Sequence, residues 1–139
     1  MSGSREILSL YAVVAIGSVI GSVLRALASL AALAWIGAAF PWGTLFVNVA
    51  GSLIIGFYAA ITGPNGRIFA SVYQRQFVMT GICGGFTTFS VFSLEAFRFL
   101  NAGDLALSGL YVGVSIAAWL LSVWLGHALG SRFNRLGGF

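Results

Sequence analysis

The sequence predicts an all-α integral membrane protein with four transmembrane helices, the third of them broken mid-membrane. Three observations predict it. Hydrophobic residues make up 59% of the 139 and charged residues only 7%, with a mean hydropathy of +0.99, so the chain cannot cover a water-facing surface. The apolar residues fall into four runs, about 7–34, 43–61, 76–101 and 105–131, each close to the roughly 20 residues a bilayer-spanning helix needs. The third run is interrupted at Gly84-Gly85-Phe86-Thr87-Thr88. Adjacent glycines followed by threonines are poor helix formers where a membrane helix should be continuous.

The same inventory excludes other classes. The net charge of +4 comes from seven arginines with no lysine, and they are scattered at the flanks of apolar runs, which gives nucleic acid no basic face. The single cysteine, Cys83, excludes an internal disulfide and a thiolate-rich metal site, and reads as a small packing residue. One histidine, one cysteine and three carboxylates spread along the chain form no nucleophile–base constellation, so the chain does not read as an enzyme.

The first run resembles a secretory signal peptide at its start, with Arg5 before an apolar stretch. It continues past Arg25, however, and three further runs need the same lipid, so it reads as a span. Gly17 and Gly21 form a GxxxG beside Ser18 and Ser22, which suits close helix packing. Arg25 lies four residues after Gly21 on the same face. An arginine at mid-span costs about 2.5–3.5 kcal/mol on insertion scales, whereas one near a helix end simply snorkels. Residues 35–42 connect to the second run, with Pro41 placed to open a helix and tryptophans at interface depth. That run carries Thr44, Asn48, Gly51 and Ser52 on one face. An amide in hydrocarbon must find partners, and hydrogen bonding between helices would alone account for Asn48.

Residues 62–67, Thr-Gly-Pro-Asn-Gly-Arg, are turn-rich, and Gln74, Arg75 and Gln76 mark the interface where the third run begins. A fresh helix is expected near Thr87 or Thr88. At about 100° per residue its faces carry Phe89, Phe92, Ala96 and Phe99; Ser90, Ser93 and Phe97; and Thr88, Val91 and Glu95. Asn101-Ala102-Gly103-Asp104 is a turn. The fourth run places Ser108, Tyr111, Ser115 and Ser122 on one side, a stripe that ordinary helix contact also explains. His127, Arg132 and Arg135 read as interfacial. Four spans put both termini on one side, and the arginine excess there (Arg5, Arg67, Arg75, Arg132 and Arg135) makes it the cytoplasmic side. No internal repeat, direct or inverted, is visible.

A break at membrane depth is tolerated only where the freed backbone is buried in protein or lines a watery cavity. Here hydroxyls on three spans, an amide and the N–H groups of a restarted helix gather around it, and a helix N-terminus favours negative charge. Cation paths usually display rings of carboxylates, but only Glu95 lies within a span. The positive edge of a phenyl ring lets Phe89 and Phe92 present hydrogens to a small anion. Taken singly, each of these residues is ordinary packing; together they point to an anion path.

Gly84-Gly85-Phe86-Thr87-Thr88-Phe89-Ser90-Val91-Phe92-Ser93-Leu94-Glu95 closely resembles the GGxTTFSTFSxE signature of the Fluc (CrcB) fluoride channels. Gly43-Thr44-Leu45-Phe46-Val47-Asn48 is similar to that family's GTLxVN, and Gly21-Ser22-Val23-Leu24-Arg25 to its first-helix G-x-x-x-R. The resemblance implies a passive, selective channel in the cell inner or plasma membrane that exports toxic fluoride. It also implies an antiparallel, dual-topology dimer, a homodimer or a pair with an oppositely oriented homologue, whose pores lie at the subunit interface. By resemblance Phe89 and Phe92 are the phenylalanine box and Asn48 a pore-lining donor. Thr44 lines the vestibule, while Ser90, Ser93 and Glu95 belong to the polar face of the third helix. Arg25 sits at the pore mouth, and Tyr111 and Ser115 contribute to the polar path. A structural Na⁺ is implied at the backbone carbonyls of Gly84 and Thr87 from both subunits. Val91, where the family commonly has Thr, and Trp119, where some members have Ser or another small residue, depart from the pattern. A small proton-coupled multidrug exporter is the main alternative, but it needs a carboxylate in the first span, where this chain has Arg25. A non-transporting scaffold would not need the break and the polar faces together.

Overall fold

The structure, a computed structural model, describes residues 2–135. Four helical segments are long and apolar enough to cross a membrane: Gly3–Ile36, Trp42–Ile61, Val72–Asn101 and Leu105–Arg135. The chain is a multi-pass membrane protein.

Helix α1 (Ser2–Ile36) is longer than the apolar run suggests. At about 1.5 Å per residue it exceeds the hydrocarbon thickness and so tilts or projects beyond it. It ends where Gly37 takes a left-handed φ of 95° and donates its N–H to the Leu33 carbonyl at 3.1 Å, a stop that favours glycine. Helix α2 (Trp42–Ile61) follows, with Pro41 as its N-cap.

The third span is built in four pieces. Helix α3 (Val72–Arg75) begins four residues before the predicted start, because Ser71 and Gln74 close a capping box that no apolar count registers. A π-helical stretch (Gln76–Cys83) and the short α4 (Gly84–Phe86) come next. The chain is then extended at Thr87 (φ −84°, ψ 161°) and Thr88 (φ −150°, ψ 124°), before α5 (Phe89–Asn101). The break falls at the threonines alone: Gly84 and Gly85 stay helical, with Gly84 at φ −64° and ψ −38°, and Thr88 caps the new helix by accepting the Val91 N–H on its hydroxyl at 3.2 Å. No apolar periodicity in the sequence marks the π-helix, whose wider turn is set by local backbone geometry. Gly103 (φ 82°) turns the chain into α6 (Leu105–Arg135), whose first turn receives an Asp104 carboxylate on the Leu107 N–H at 3.0 Å.

Backbones meet through small residues, as expected where lipid leaves no hydrophobic drive between helices. Gly17 of α1 lies against Gly81 so closely that a Cβ on it would stand 2.6 Å from the Phe77 carbonyl oxygen, and a Cβ on Gly21 would run into the Ile82 carbonyl. Gly85 presses in the same way on Ser18. The GxxxG of α1 thus meets a second GxxxG, Gly81 and Gly85, across the interface. Helices α2 and α6 are joined similarly through Gly56, Gly126 and Gly130. After the break the packing changes character: Phe92, Ala96 and Tyr111 form a buried cluster, flanked by Phe40, Phe99, Val112 and Trp119.

Candidate functional site: a polar seam beside the broken third span

Breaking a helix strands backbone groups, and α2 supplies the remedy. Asn48, facing the break from α2, is buried. Its Nδ2 donates to the Thr88 carbonyl at 2.9 Å and its Oδ1 accepts the Thr88 N–H at 2.7 Å. One carboxamide therefore pairs both polar groups of the residue that a helix can no longer satisfy, as a neighbouring strand would. A carboxamide has two N–H groups; Asn48 also lines a recess of about 290 Å³ with Gly51, Cys83, Gly84, Thr87, Phe89 and Trp119.

This bracing has a second effect. The Thr88 N–H, which a continuous helix would give to the Gly84 carbonyl, goes to Asn48. The Val91 N–H, which would go to Thr87, goes to the Thr88 hydroxyl. The carbonyls of Gly84 and Thr87 are left without helical donors. Gly84 has open space where a Cβ would stand, so this side of the break is uncovered by the chain itself.

One turn and a half along α5, Glu95 gathers two hydroxyls from different helices. Thr44 Oγ1 donates to its Oε1 at 2.9 Å, and the Tyr111 hydroxyl donates to its Oε2 at 2.7 Å. Tyr111 is fully buried and held edge-on by Phe40 and Phe99, at ring-centroid distances of 5.4 Å and 5.9 Å. Beside the carboxylate lies a recess of about 480 Å³ bordered by Ser29, Phe40, Thr44, Val91 and Arg98.

Between these two polar centres stand the phenylalanines. Their ring centroids are 5.7 Å apart and inclined by 50°, but their surroundings differ. Phe92 is 5% exposed and Phe89 73%. Phe92 meets Tyr111 at 5.2 Å and Trp119 at 4.7 Å, nearly edge-on at 74°.

The structure thus brings together Asn48 with the break, Thr44 and Tyr111 with Glu95, and Phe89 with Phe92. Ser115 is wholly buried on α6, with no hydrogen-bond partner for its Oγ among the described residues. Ser93 is turned back on its own helix, donating to the Phe89 carbonyl at 2.9 Å. Ser90 is exposed and lies 3.2 Å from the Thr88 hydroxyl, oxygen to oxygen. Arg25 is half-buried on α1, one turn from Gly21, which packs against Ile82 and Phe86, and one turn from Ser29, which borders the Glu95 recess. Two participants escape a reading of the sequence. Thr88 is the partner of Asn48, which no spacing links across forty residues. Arg75, read as interfacial, crosses to the end of α2 and donates to the Thr62 carbonyl and to its hydroxyl at 2.7 Å.

Four apolar spans, a broken helix and polar groups buried beside the break define a small helical membrane protein of the ion-transport class. A family profile described as CrcB-like protein, Camphor Resistance (CrcB), matches residues 12–127. The chain is 58% identical over 134 residues to a protein of Rhodopseudomonas palustris named fluoride-specific ion channel FluC 1, covering 96% of this chain and 95% of that one. It is 56% identical over 127 residues to a protein of the same name from Bradyrhizobium diazoefficiens, covering 91% and 88%. A fluoride-specific ion channel FluC of Opitutus terrae is 49% identical over 132 residues, covering 94% and 99%. The chain belongs to the CrcB family.

Proposed function

We propose that this chain is a fluoride-selective channel, a passive conduit and not an enzyme, that lets a cell shed toxic fluoride across its inner or plasma membrane. The observation that carries the reading is the break at Thr87 and Thr88, with Phe89 and Phe92 immediately after it, in a chain that is 58% identical to a protein named a fluoride-specific channel. A small, strongly hydrated anion gives up its water only where close donors replace it. The second Asn48 N–H, from α2, and the positive edges of Phe89 and Phe92, on α5, are such donors. Nothing supports the exporter alternative: the first span holds Arg25, and its single carboxylate, Glu6, lies exposed in the opening turns of the helix.

The functional unit is an antiparallel dimer, as a homodimer or with an oppositely oriented homologue. Phe89, at 73% exposure, and Gly84, with nothing within 4 Å of a Cβ position, flank the break on a side that the chain leaves open. A second chain laid there would enclose the anion between two such faces. Thr44 and Tyr111, tied to Glu95, form the vestibule end, with Ser90, Ser93, Ser115 and Arg25 bordering the route.

The carbonyls of Gly84 and Thr87, stripped of their helical donors, suit a hard cation that takes oxygen ligands. They are the groups that would hold the structural Na⁺, in company with their counterparts from a second chain. Bound there, the ion would supply a fixed positive charge beside the break. The chain's own part is to keep those carbonyls free: Asn48 does so for Gly84 by accepting the Thr88 N–H, and the Thr88 hydroxyl does so for Thr87 by accepting the Val91 N–H.

Expression in a bacterial strain lacking its own fluoride exporters tests the reading. The proposed channel restores growth at fluoride concentrations that arrest the parent strain; continued arrest, with the protein present in the membrane, contradicts it.

A further inference from the structure

The protons along the polar seam can be counted. Thr44 and Tyr111 each spend their single hydroxyl proton on Glu95. Ser108 donates to the Ala96 carbonyl, Ser93 to that of Phe89 and Thr87 to that of Cys83. Among the described residues, two buried side-chain polar atoms have no hydrogen-bond partner: Ser115 Oγ and Trp119 Nε1. They are four residues apart on α6 and therefore on one face, one turn from each other. Tyr111, one turn further, continues the same face.

Inside a bilayer an unpaired N–H costs several kcal/mol, and buried polar atoms are almost always satisfied. An indole nitrogen is a donor and never an acceptor, so only an electron-rich guest meets its need. Trp119 borders the recess shared by Asn48, Thr88 and Phe89 and stands nearly edge-on to Phe92. We propose that the Trp119 indole N–H, with the Ser115 hydroxyl one turn away, is an anion donor that receives fluoride as it passes Phe92. The chain would then have replaced the small residue that its resemblance leads one to expect with a stronger and more rigid donor. The proposal rests on the channel reading.

The test uses the purified full-length protein with ¹⁵N-labelled indoles. There are four tryptophans, and Trp35, Trp42 and Trp124 are exposed, so replacing each of those by Phe assigns the Trp119 signal without disturbing the core. The Trp119 indole resonance should move on titration with fluoride and stay still with equal chloride. In liposomes W119F, which keeps a ring and removes the N–H, should slow fluoride efflux about tenfold, the scale of one hydrogen bond to a charged group, while its dimer elutes as the wild type does. An indole resonance unmoved by fluoride, as when water or a second chain satisfies the N–H, overturns the proposal, as does a W119F efflux rate equal to wild type. If W119F fails to assemble, the titration of the wild-type indole decides. Wild-type efflux keeps the two ideas apart. A conducting wild type with a silent indole removes only the Trp119 role, whereas a wild type that passes no fluoride removes the channel reading itself.

Discussion

The two halves of the third span are held by opposite means. Before the break, Gly81 and Gly85 bring the backbone into direct contact with α1 at Gly17 and Ser18, leaving no room for adjustment. After it, α5 touches its neighbours mainly through aromatic rings and one carboxylate, with one backbone carbonyl, that of Ala96, accepting from Ser108, and leaves Phe89 73% exposed. The first half is an anchor, fixed within the chain. The second is an open face, the one that the proposed dimer would cover. Glycine serves both ends of this contrast. At Gly21 a side chain would meet backbone, and at Gly84 it would meet open space.

Substitutions at those two glycines should therefore have very different effects, and Gly21→Leu should have the largest of all. Forcing a leucine against the Ile82 carbonyl costs the roughly 1–3 kcal/mol of overpacking or more, and the variant should yield little monodisperse protein in detergent. Gly84→Ala should leave the chain folded but weaken its assembly, seen as a shift from dimer to monomer at low concentration. Equal behaviour of the two variants would erase the distinction between anchor and face.

Asn48→Asp comes next. It removes the N–H that meets the Thr88 carbonyl and sets a carboxylate against it, a buried mismatch of about 1–3 kcal/mol or more, while putting a negative charge beside the proposed path. Fluoride efflux from liposomes should fall by about 100-fold or more, the rate equivalent of about 2.7 kcal/mol. Retained flux would remove Asn48 from the path and from the bracing of the break alike.

The phenylalanines sharpen the comparison within α5. Phe92→Ile loses edge contacts with Tyr111 and Trp119, about 1 kcal/mol per aromatic pair, and should lower both the thermal midpoint and the fluoride flux. Phe89→Ile should lower the flux while leaving the midpoint of the unassembled chain almost unmoved. If both variants lose stability equally, the open face is not open.

The smallest expected effect belongs to Arg75→Gln. Its guanidinium caps the end of α2 at Thr62, a helix-terminus interaction worth about 0.3–1 kcal/mol. The thermal midpoint should drop by a few degrees at most, with fluoride selectivity intact.

Much of this was legible in the sequence for physical reasons. Four apolar runs are a strong signal because lipid tolerates few departures, and Gly84-Gly85 before Thr87-Thr88 announces a break because both are poor helix formers, although the glycines stay helical and only the threonines are extended. The stripe of Ser108, Tyr111 and Ser115 lies on one face because helical geometry puts it there. What the sequence hides is the destination of each proton. Asn48 reads as a polar residue in need of a partner, but nothing in its neighbourhood names Thr88. Thr44 is expected at the vestibule and Tyr111 along the polar path, and nothing in either run shows that both donate to Glu95. The π-helix and the capping box at Ser71 also escape, since both are set by local backbone geometry and not by hydrophobic period. Trp119 looks like a bulky departure until Phe92 and the unpaired indole nitrogen are seen beside it.

The most direct test of the account is halide efflux from liposomes that hold only this protein and lipid. Fluoride should leave faster than chloride by several orders of magnitude, because donors set close around the break of the third span strip the smaller ion and refuse the larger. Equal rates for the two halides, or no fluoride efflux at all, would contradict it.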